Sequence, residues 1–174
     1  QADFLAVLDV TEDSARYGRL VTTLPVPGLG NVPHHTEHEM PPDRQLFANG
    51  FGSGESFLFD LTDPARPRLA GQFGGLEGYT HPHSFLRLPG GNVLATFQMR
   101  HDATGITPGG LVELTPAGQP VRSRSANAPG LDPATLFMIS TGRMTRINER
   151  CIISRTYVNR EISFWPSCEG NIPW

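Results

Sequence analysis

Five of the six histidines in this chain fall into two clusters, and imidazole is the commonest metal ligand among protein side chains. The first cluster holds His34, His35 and His38, and the second holds His81 and His83. His34 and His81 are 47 residues apart, and His35 and His83 are 48 residues apart. Because these spacings nearly coincide, we expect the clusters at equivalent points of two neighbouring structural units, where they would form one transition-metal site.

In a regular strand, the histidines of the two clusters would point in different ways. His81 and His83 would point to one face of an extended strand, provided that Pro82 does not break it. His34 and His35 are adjacent, so at most one of them faces the site unless a bulge intervenes. The predicted metal ligands are therefore His34, His35, His81 and His83. The alternative is that these histidines pack structurally and bind backbone groups.

Other polar residues carry weaker signals. Glu37 and His38 are predicted to orient an imidazole or to be solvated loop residues. His101 lies outside the repeat and is interpreted as part of a surface loop. The glycine-rich segment 50–54 joins two predicted strands, so we interpret it as a flexible hairpin and not as a phosphate loop. The acidic segment 60–64 lacks a full set of calcium ligands and predicts an Asx-type turn. No catalytic residue is assigned.

The elements that must position the histidines repeat along the chain. One repeated element is a strand that ends in an acidic residue and a turn, and a second strand follows each copy. Copies of the first strand lie at 4–11, 57–64 and 111–116, and the second strands at 19–24, 68–73 and 120–124. A strand–turn–strand element also recurs, at 35–49, 83–97 and, more weakly, 144–154.

The repeat period of about 50 residues, with about four short strands per unit, is typical of β-propeller blades. We therefore predict an all-β fold of about three four-stranded β-propeller blades. The whole chain, 1–174, would form a single partial propeller domain with repeats near 3–50, 51–105 and 106–160 and an irregular tail at 161–174. A β-sandwich is the alternative, because regular short strands fit both folds.

The composition and sequence patterns of the chain exclude some classes of binding partner. The net charge of −3 and the lack of a basic stripe argue against nucleic acid. No apolar run approaches the ~20 residues of a membrane helix. Cys151 and Cys168 match no zinc motif, and a disulfide between them stays open. The chain starts at Gln1 without a charged and apolar leader, which we interpret as a processed form or a fragment.

Two ordered sets of motifs resemble the selenium-binding protein/methanethiol oxidase family over residues 3–125. The first set resembles the amino-terminal region of that family, and the second resembles its next histidine-containing blade. The first set comprises Phe4–Val10, Tyr17-Gly18, Leu24–Pro27 and His34-His35, and the second comprises Tyr79–Phe85 and Leu88–Phe97.

The resemblance implies a seven-bladed propeller that binds a metal, which is copper in the bacterial methanethiol oxidases. Those enzymes convert methanethiol, O₂ and water to formaldehyde, hydrogen sulfide and hydrogen peroxide. His34, His35, His81 and His83 match the histidine positions of the family. The further carboxy-terminal histidines of the family and the cysteine motif of its animal members are missing from this sequence.

We therefore expect a copper-dependent oxidoreductase that acts on a small thiol, with proton transfer by water or His38. Another transition metal could replace copper. The alternatives are a non-catalytic propeller that binds a metal or a protein partner, and an inactive fragment of a larger enzyme. The resemblance to copper-containing bacterial relatives favours a periplasmic or secreted location, with the cytoplasm as the alternative.

Overall fold

The computed structural model describes residues 2–33, 35–37, 39–127, 144–147 and 150–153, the last two ranges as backbone only. Within these ranges the chain forms antiparallel strands and no helix, which confirms the predicted all-β class. Accordingly, no helix able to cross a bilayer is found in the part of the chain that the structure describes. The predictions for His34, His38, Cys168 and the tail 161–174 fall outside the described residues, as does the side chain of Cys151.

The strands form three sheets and a separate hairpin. Sheet 1 is the ribbon β1–β2, sheet 2 has the order β3–β4–β5, sheet 3 has the order β6–β7–β8–β9, and β10 pairs with β11. The bounds of sheets 1 and 2 are β1 Phe4–Leu8, β2 Leu20–Pro25, β3 Gln45–Gly50, β4 Glu55–Asp60 and β5 Arg68–Gly74. The remaining bounds are β6 Tyr79–Arg87, β7 Val93–Asp102, β8 Gly105–Leu114, β9 Pro120–Ser125, β10 Met144–Ile147 and β11 Arg150–Ile153.

Residues 35–37, called the short strand below, lie along the edge of the three-stranded sheet 2 and pair with it at one isolated bridge. Thr36 forms an isolated antiparallel bridge with Ala48 of β3. The Asn49 N–H donates to the His35 carbonyl at 2.9 Å, and the Glu37 N–H donates to the Phe47 carbonyl at 3.2 Å. With the short strand counted as its first strand, sheet 2 has the same four-strand order as sheet 3. In each sheet, the first strand carries histidine and pairs with the next strand along the chain.

The predicted repeat of a strand, an acidic residue and a turn corresponds to real elements. Its first copy contains β1, its other two copies overlap the carboxy-terminal ends of β4 and β8, and the following strands are β2, β5 and β9. The Asp9 carboxylate accepts from the Thr11 N–H at 3.0 Å, and the Asp60 carboxylate accepts from the Thr62 N–H at 2.9 Å. These are the Asx turns expected of aspartate at such positions. The Thr62 N–H, helped by Arg68, also holds the pKa of Asp60 well below its usual range.

The sheets are offset from the predicted repeat units. The unit boundary near 51 falls in the turn between β3 and β4, and the boundary near 106 falls at the start of β8. Sheet 2 with its short strand instead runs from 35 to 74, and sheet 3 runs from 79 to 125. The offset arises because in sheets 2 and 3 the sequence repeat is clearest at β4 and β8, which lie inside each sheet, whereas the hydrogen-bonded sheet begins at an earlier strand.

Sheet 2 is buried on both faces. Successive side chains of a strand point to opposite faces, so neighbouring residues of β3 enter different clusters. Leu46 and Ala48 join Phe57 and Phe59 in an apolar cluster against which Leu5 of sheet 1 packs. Phe47, between them in sequence, joins a second cluster that contains residues of sheet 3. The three sheets are thus stacked face to face through two apolar layers.

Phe47 anchors the layer between sheets 2 and 3, and we expect its removal to be costly. Its side chain is fully buried, and its ring centroid lies 5.5 Å from that of Phe85. Phe47→Ala should lower the free energy of unfolding by about 3–5 kcal/mol, because it removes buried area and leaves a cavity. Phe4→Ala, at a side chain that is 53% exposed, should cost about 1 kcal/mol or less. Denaturant titration of both variants measures the difference; equal losses would contradict this view of the core.

Candidate metal centre

His35 and His83 meet across the interface of sheets 2 and 3. Their ring centroids are 4.5 Å apart, and the ring planes are tilted by 40°. His35 lies on the short strand of sheet 2, and His83 lies on β6 of sheet 3, where only 9% of its surface is exposed. An imidazole of the first predicted cluster is therefore in contact with an imidazole of the second, although the two residues are far apart in sequence.

Strand β6 is irregular where it carries its histidines. His81 has a φ of 59°, which is unusual for a residue with a side chain. The register of β6 against β7 shifts between Pro82 and Phe85, so His83 lies in a bulged stretch. The simple alternation expected for His81 and His83 is therefore broken. A bulge re-aims side chains, and such bulges are common next to active sites.

The Phe51 ring brings the two histidines of β6 into one environment. Its centroid lies 5.4 Å from that of His81 and 5.7 Å from that of His83, edge to face in both cases. Phe51 lies in the turn between β3 and β4, which confirms the hairpin predicted for segment 50–54. A side chain at Gly52 would collide with the Gly30 carbonyl, so glycine is required for this turn to pack. The result is an apolar wall beside the imidazoles.

His81 is favoured in its neutral form. Partial burial lowers its pKa, and the electrostatic effect of the nearby His101 lowers that pKa further. His101 was predicted to lie in a surface loop; it is exposed, but it is the penultimate residue of strand β7. Each imidazole of β6 also has a hydroxyl beside Nδ1: Thr80 Oγ1 lies 3.0 Å from that of His81, and Ser84 Oγ lies 3.3 Å from that of His83.

Glu37 forms an ion pair with Arg87, and within the described residues, which omit His34 and His38, no hydrogen bond joins it to an imidazole. Its carboxylate accepts from Arg87 Nε at 3.0 Å and Nη2 at 3.1 Å, and from the Phe47 N–H at 3.0 Å. The Glu37 side chain is only 3% exposed. This burial raises the pKa of Glu37, against the opposing effect of its hydrogen bonds. Arg87 also donates to the Gln45 carbonyl, so the pair links sheet 3 to sheet 2.

Asn49 is a residue of the site that the sequence analysis missed. Its side chain is fully buried at the end of β3. Its Oδ1 accepts from the His35 N–H at 2.9 Å, and its Nδ2 donates to the Pro82 carbonyl at 3.1 Å. A polar residue directly after the apolar run 46–48 was the available signal, since buried amides are rare unless hydrogen-bonded.

An apolar cleft of about 240 Å³ reaches His35 from the other side. It lies between sheets 1 and 2, and its lining includes Phe4, Leu5, Val26, Phe57 and Phe59. His35 therefore lines the cleft and also contacts His83. A small apolar molecule in the cleft would lie beside His35, one of the two imidazoles of the pair.

Three of the four predicted ligands are described, and they lie close to one another. His35 and His83 are in contact, and His81 is connected to His83 through Phe51. No group of three or more histidine, cysteine, aspartate or glutamate side chains is close enough to hold a metal within the described ranges, which omit His34 and His38. Whether the four predicted histidines bind a metal stays a prediction.

Known proteins resemble this chain in sequence and in structure. The methanethiol oxidase of Hyphomicrobium sp. is 38% identical over 93 residues, which are 52% of this chain and 21% of that enzyme. The X-ray structure of a hypothetical selenium-binding protein from Sulfolobus tokodaii superposes with a TM-score of 0.57 at 22% identity, over 69% of this chain and 30% of that one. No family model matches the chain. The predicted resemblance is confirmed, and this chain spans less than a third of either relative.

Breaking the Glu37–Arg87 pair should destabilise the interface beside the histidines. Arg87→Leu leaves the buried carboxylate of Glu37 without its counter-charge, which should cost about 3–5 kcal/mol of unfolding free energy at pH 7. The exposed pair of Arg66 and Asp63 provides the control, because Arg66→Leu should change stability by less than about 1 kcal/mol. Denaturant titrations of the two variants make the comparison.

The loss in Arg87→Leu should also depend on pH. The folded-state pKa of Glu37 is raised above 4.5, so ionisation of this residue opposes folding as the pH rises through that folded value. Without the positive charge of Arg87, the ionisation of Glu37 should oppose folding more strongly. The variant should therefore lose less stability at pH 4, where Glu37 is protonated, than at pH 7. An equal loss at both values would mean that the carboxylate is not the source of the cost.

Proposed function

We propose that this chain forms part of a metal-binding β-propeller that resembles the methanethiol oxidases and oxidises a small thiol with O₂. The observation that carries the proposal is the contact of His35 with His83, one imidazole from each predicted cluster, at a centroid separation of 4.5 Å. The 38% identity to a methanethiol oxidase supports the assignment of the reaction. Because this chain spans 21% of that enzyme, the complete activity belongs to the proposal.

The arrangement of the sheets supports a propeller. Sheet 2 packs against another sheet on each face, through the clusters that contain Phe57 and Phe47. A two-sheet β-sandwich has one inner face per sheet, whereas the blades of a propeller bury both faces. The four-strand order shared by sheets 2 and 3 fits a repeated blade. We propose that these sheets are consecutive blades of a seven-bladed ring.

The imidazole pair has the spacing of two ligands on one ion. With metal–nitrogen bonds of about 2.0–2.1 Å, two imidazoles on one ion have centroids about 4.5 Å apart at a right angle and about 5.2 Å apart at a tetrahedral angle, so the observed separation lies at the short end of this range. With the proton on Nδ1, His83 donates to Ser84 Oγ, and Nε2 is then the unprotonated nitrogen, which is the form of imidazole nitrogen that binds metals. His35 and His83 thus fit two positions of a metal site, and we propose His34 and His81 as its further ligands.

Copper is the proposed metal, because imidazole suits it and a thiolate sulfur is a good additional ligand. Bound copper would supply the thiolate binding and electron transfer that thiol oxidation needs. The chain itself holds the imidazoles, keeps His81 neutral and shields the site with Phe51. The apolar cleft beside His35 would admit a small thiol such as methanethiol and would exclude bulky or charged molecules.

Metal content tests the site directly. The purified chain, never exposed to chelators or to a metal-affinity column, should contain copper or take it up, as measured by elemental analysis. His83→Ala should lose that copper, because the variant removes one of the two adjoining imidazoles. His101→Ala should retain it, since this exposed imidazole lies outside the pair. Retention of copper by both variants would contradict the assignment of His83.

Turnover separates the enzyme from a non-catalytic metal-binding propeller. The copper-loaded chain should consume O₂ when methanethiol is added and should release hydrogen sulfide, measured with oxygen and sulfide electrodes. Methanol is the matched control, because it lacks the sulfur that binds copper. His35→Ala should abolish the thiol-dependent uptake. Stoichiometric copper without any thiol-dependent O₂ uptake would favour the non-catalytic alternative for this chain.

A further inference from the structure

Neither histidine segment is held by a regular strand ladder. The segment of His35 joins sheet 2 through a single bridge between Thr36 and Ala48. On β6, the pairing with β7 is interrupted between Pro82 and Phe85, which leaves His83 in the interruption. An imidazole pair needs a fixed spacing to hold a metal, so other contacts must fix the backbone at both positions.

On the side of His35, the Asn49 side chain supplies such a contact, beside the bridge hydrogen bond that the Asn49 main chain already makes. Its Oδ1 accepts from the His35 N–H at 2.9 Å, and its own N–H donates to the His35 carbonyl at 2.9 Å. Both main-chain polar groups of His35 thus bind one residue. Asn49 is itself part of the regular strand β3, so this doubled contact ties His35 to the rigid part of sheet 2.

The same side chain reaches the other sheet. Asn49 Nδ2 donates to the carbonyl of Pro82 at 3.1 Å, and Pro82 directly precedes His83. On the far side of His83, the Ser84 N–H donates to Thr96 Oγ1 at 3.0 Å. The backbone around His83 is therefore fixed from two directions, and one of these contacts comes from the residue that fixes His35.

We propose that Asn49 is a positioning residue that sets the spacing of the two imidazoles by tying the backbone at His35 to the backbone beside His83. The role for metal binding rests on the proposed function, whereas the spacing itself does not. An amide suits this role because it offers an acceptor to one segment and a donor to the other from two separate atoms. Full burial means that water does not replace either bond.

The test compares Asn49→Leu with Asn31→Leu in the full chain. Asn31 is the matched control because it is equally buried and its Nδ2 also donates to a carbonyl at 3.1 Å, that of Pro27 within the same loop. Copper affinity, measured by competition with a chelator, should fall about 10- to 100-fold in Asn49→Leu, as for other residues that orient metal ligands. Asn31→Leu should keep the affinity of the unmodified chain. Equal losses in both variants, or no loss in Asn49→Leu, would overturn the proposal.

A second readout needs no metal. In the metal-free chain, nuclear Overhauser contacts between the rings of His35 and His83 should be present and should disappear in Asn49→Leu but not in Asn31→Leu. If the unmodified chain binds no copper, the proposed function fails, and the ring contacts alone decide the role of Asn49. Their persistence in Asn49→Leu would overturn that role.

Asn49→Asp covers the case in which Asn49→Leu does not fold. It keeps the oxygen that accepts from the His35 N–H and loses the donor to Pro82. We expect weaker copper binding and weaker ring contacts than in the unmodified chain. Unchanged values for both would contradict the proposal.

Discussion

The rest of this structure depends on the burial of strand β3 on both faces. Leu46 and Ala48 face the cluster toward sheet 1, and Phe47 faces the cluster toward sheet 3. Because β3 is enclosed in this way, sheets 1 and 3 are held at a fixed distance from it. The short strand of His35 pairs with one edge of β3, and the turn that follows β3 carries Phe51. The position of β3 therefore determines where the imidazoles can meet.

The buried polar groups between sheets 2 and 3 are hydrogen-bonded. These bonds offset the free-energy cost of burial and fix the position of one sheet relative to the other. A buried amide or carboxylate costs free energy unless it is hydrogen-bonded. Asn49 and Glu37 both have partners in sheets 2 and 3, and both lie next to the histidine segment. Leaving either group without its partners is costly, so the relative position of the two sheets is specified more narrowly than apolar packing alone would require. Such precision would serve the proposed metal site, because a metal needs its ligands at set distances.

Local signals in the sequence were enough to predict the elements. The alternation of apolar residues, the acidic turn residues and the period of the repeat are properties of short segments, and β1, β4 and β8 form where those signals indicated. The equivalence of the two histidine clusters was also readable, since equivalent positions in stacked units tend to be neighbours. The contact between His35 and His83 agrees with that expectation.

The sequence by itself thus determined the all-β class, the turns and the two imidazole clusters as candidate partners. Only the tertiary structure decided that His35 meets His83, that β6 bulges at its histidines and that Glu37 pairs with Arg87. The role of Asn49 became visible only there as well. The physical reason is that each of these contacts joins separate sheets or interrupts a ladder. Such contacts depend on how the apolar faces stack, which no short segment of the sequence encodes.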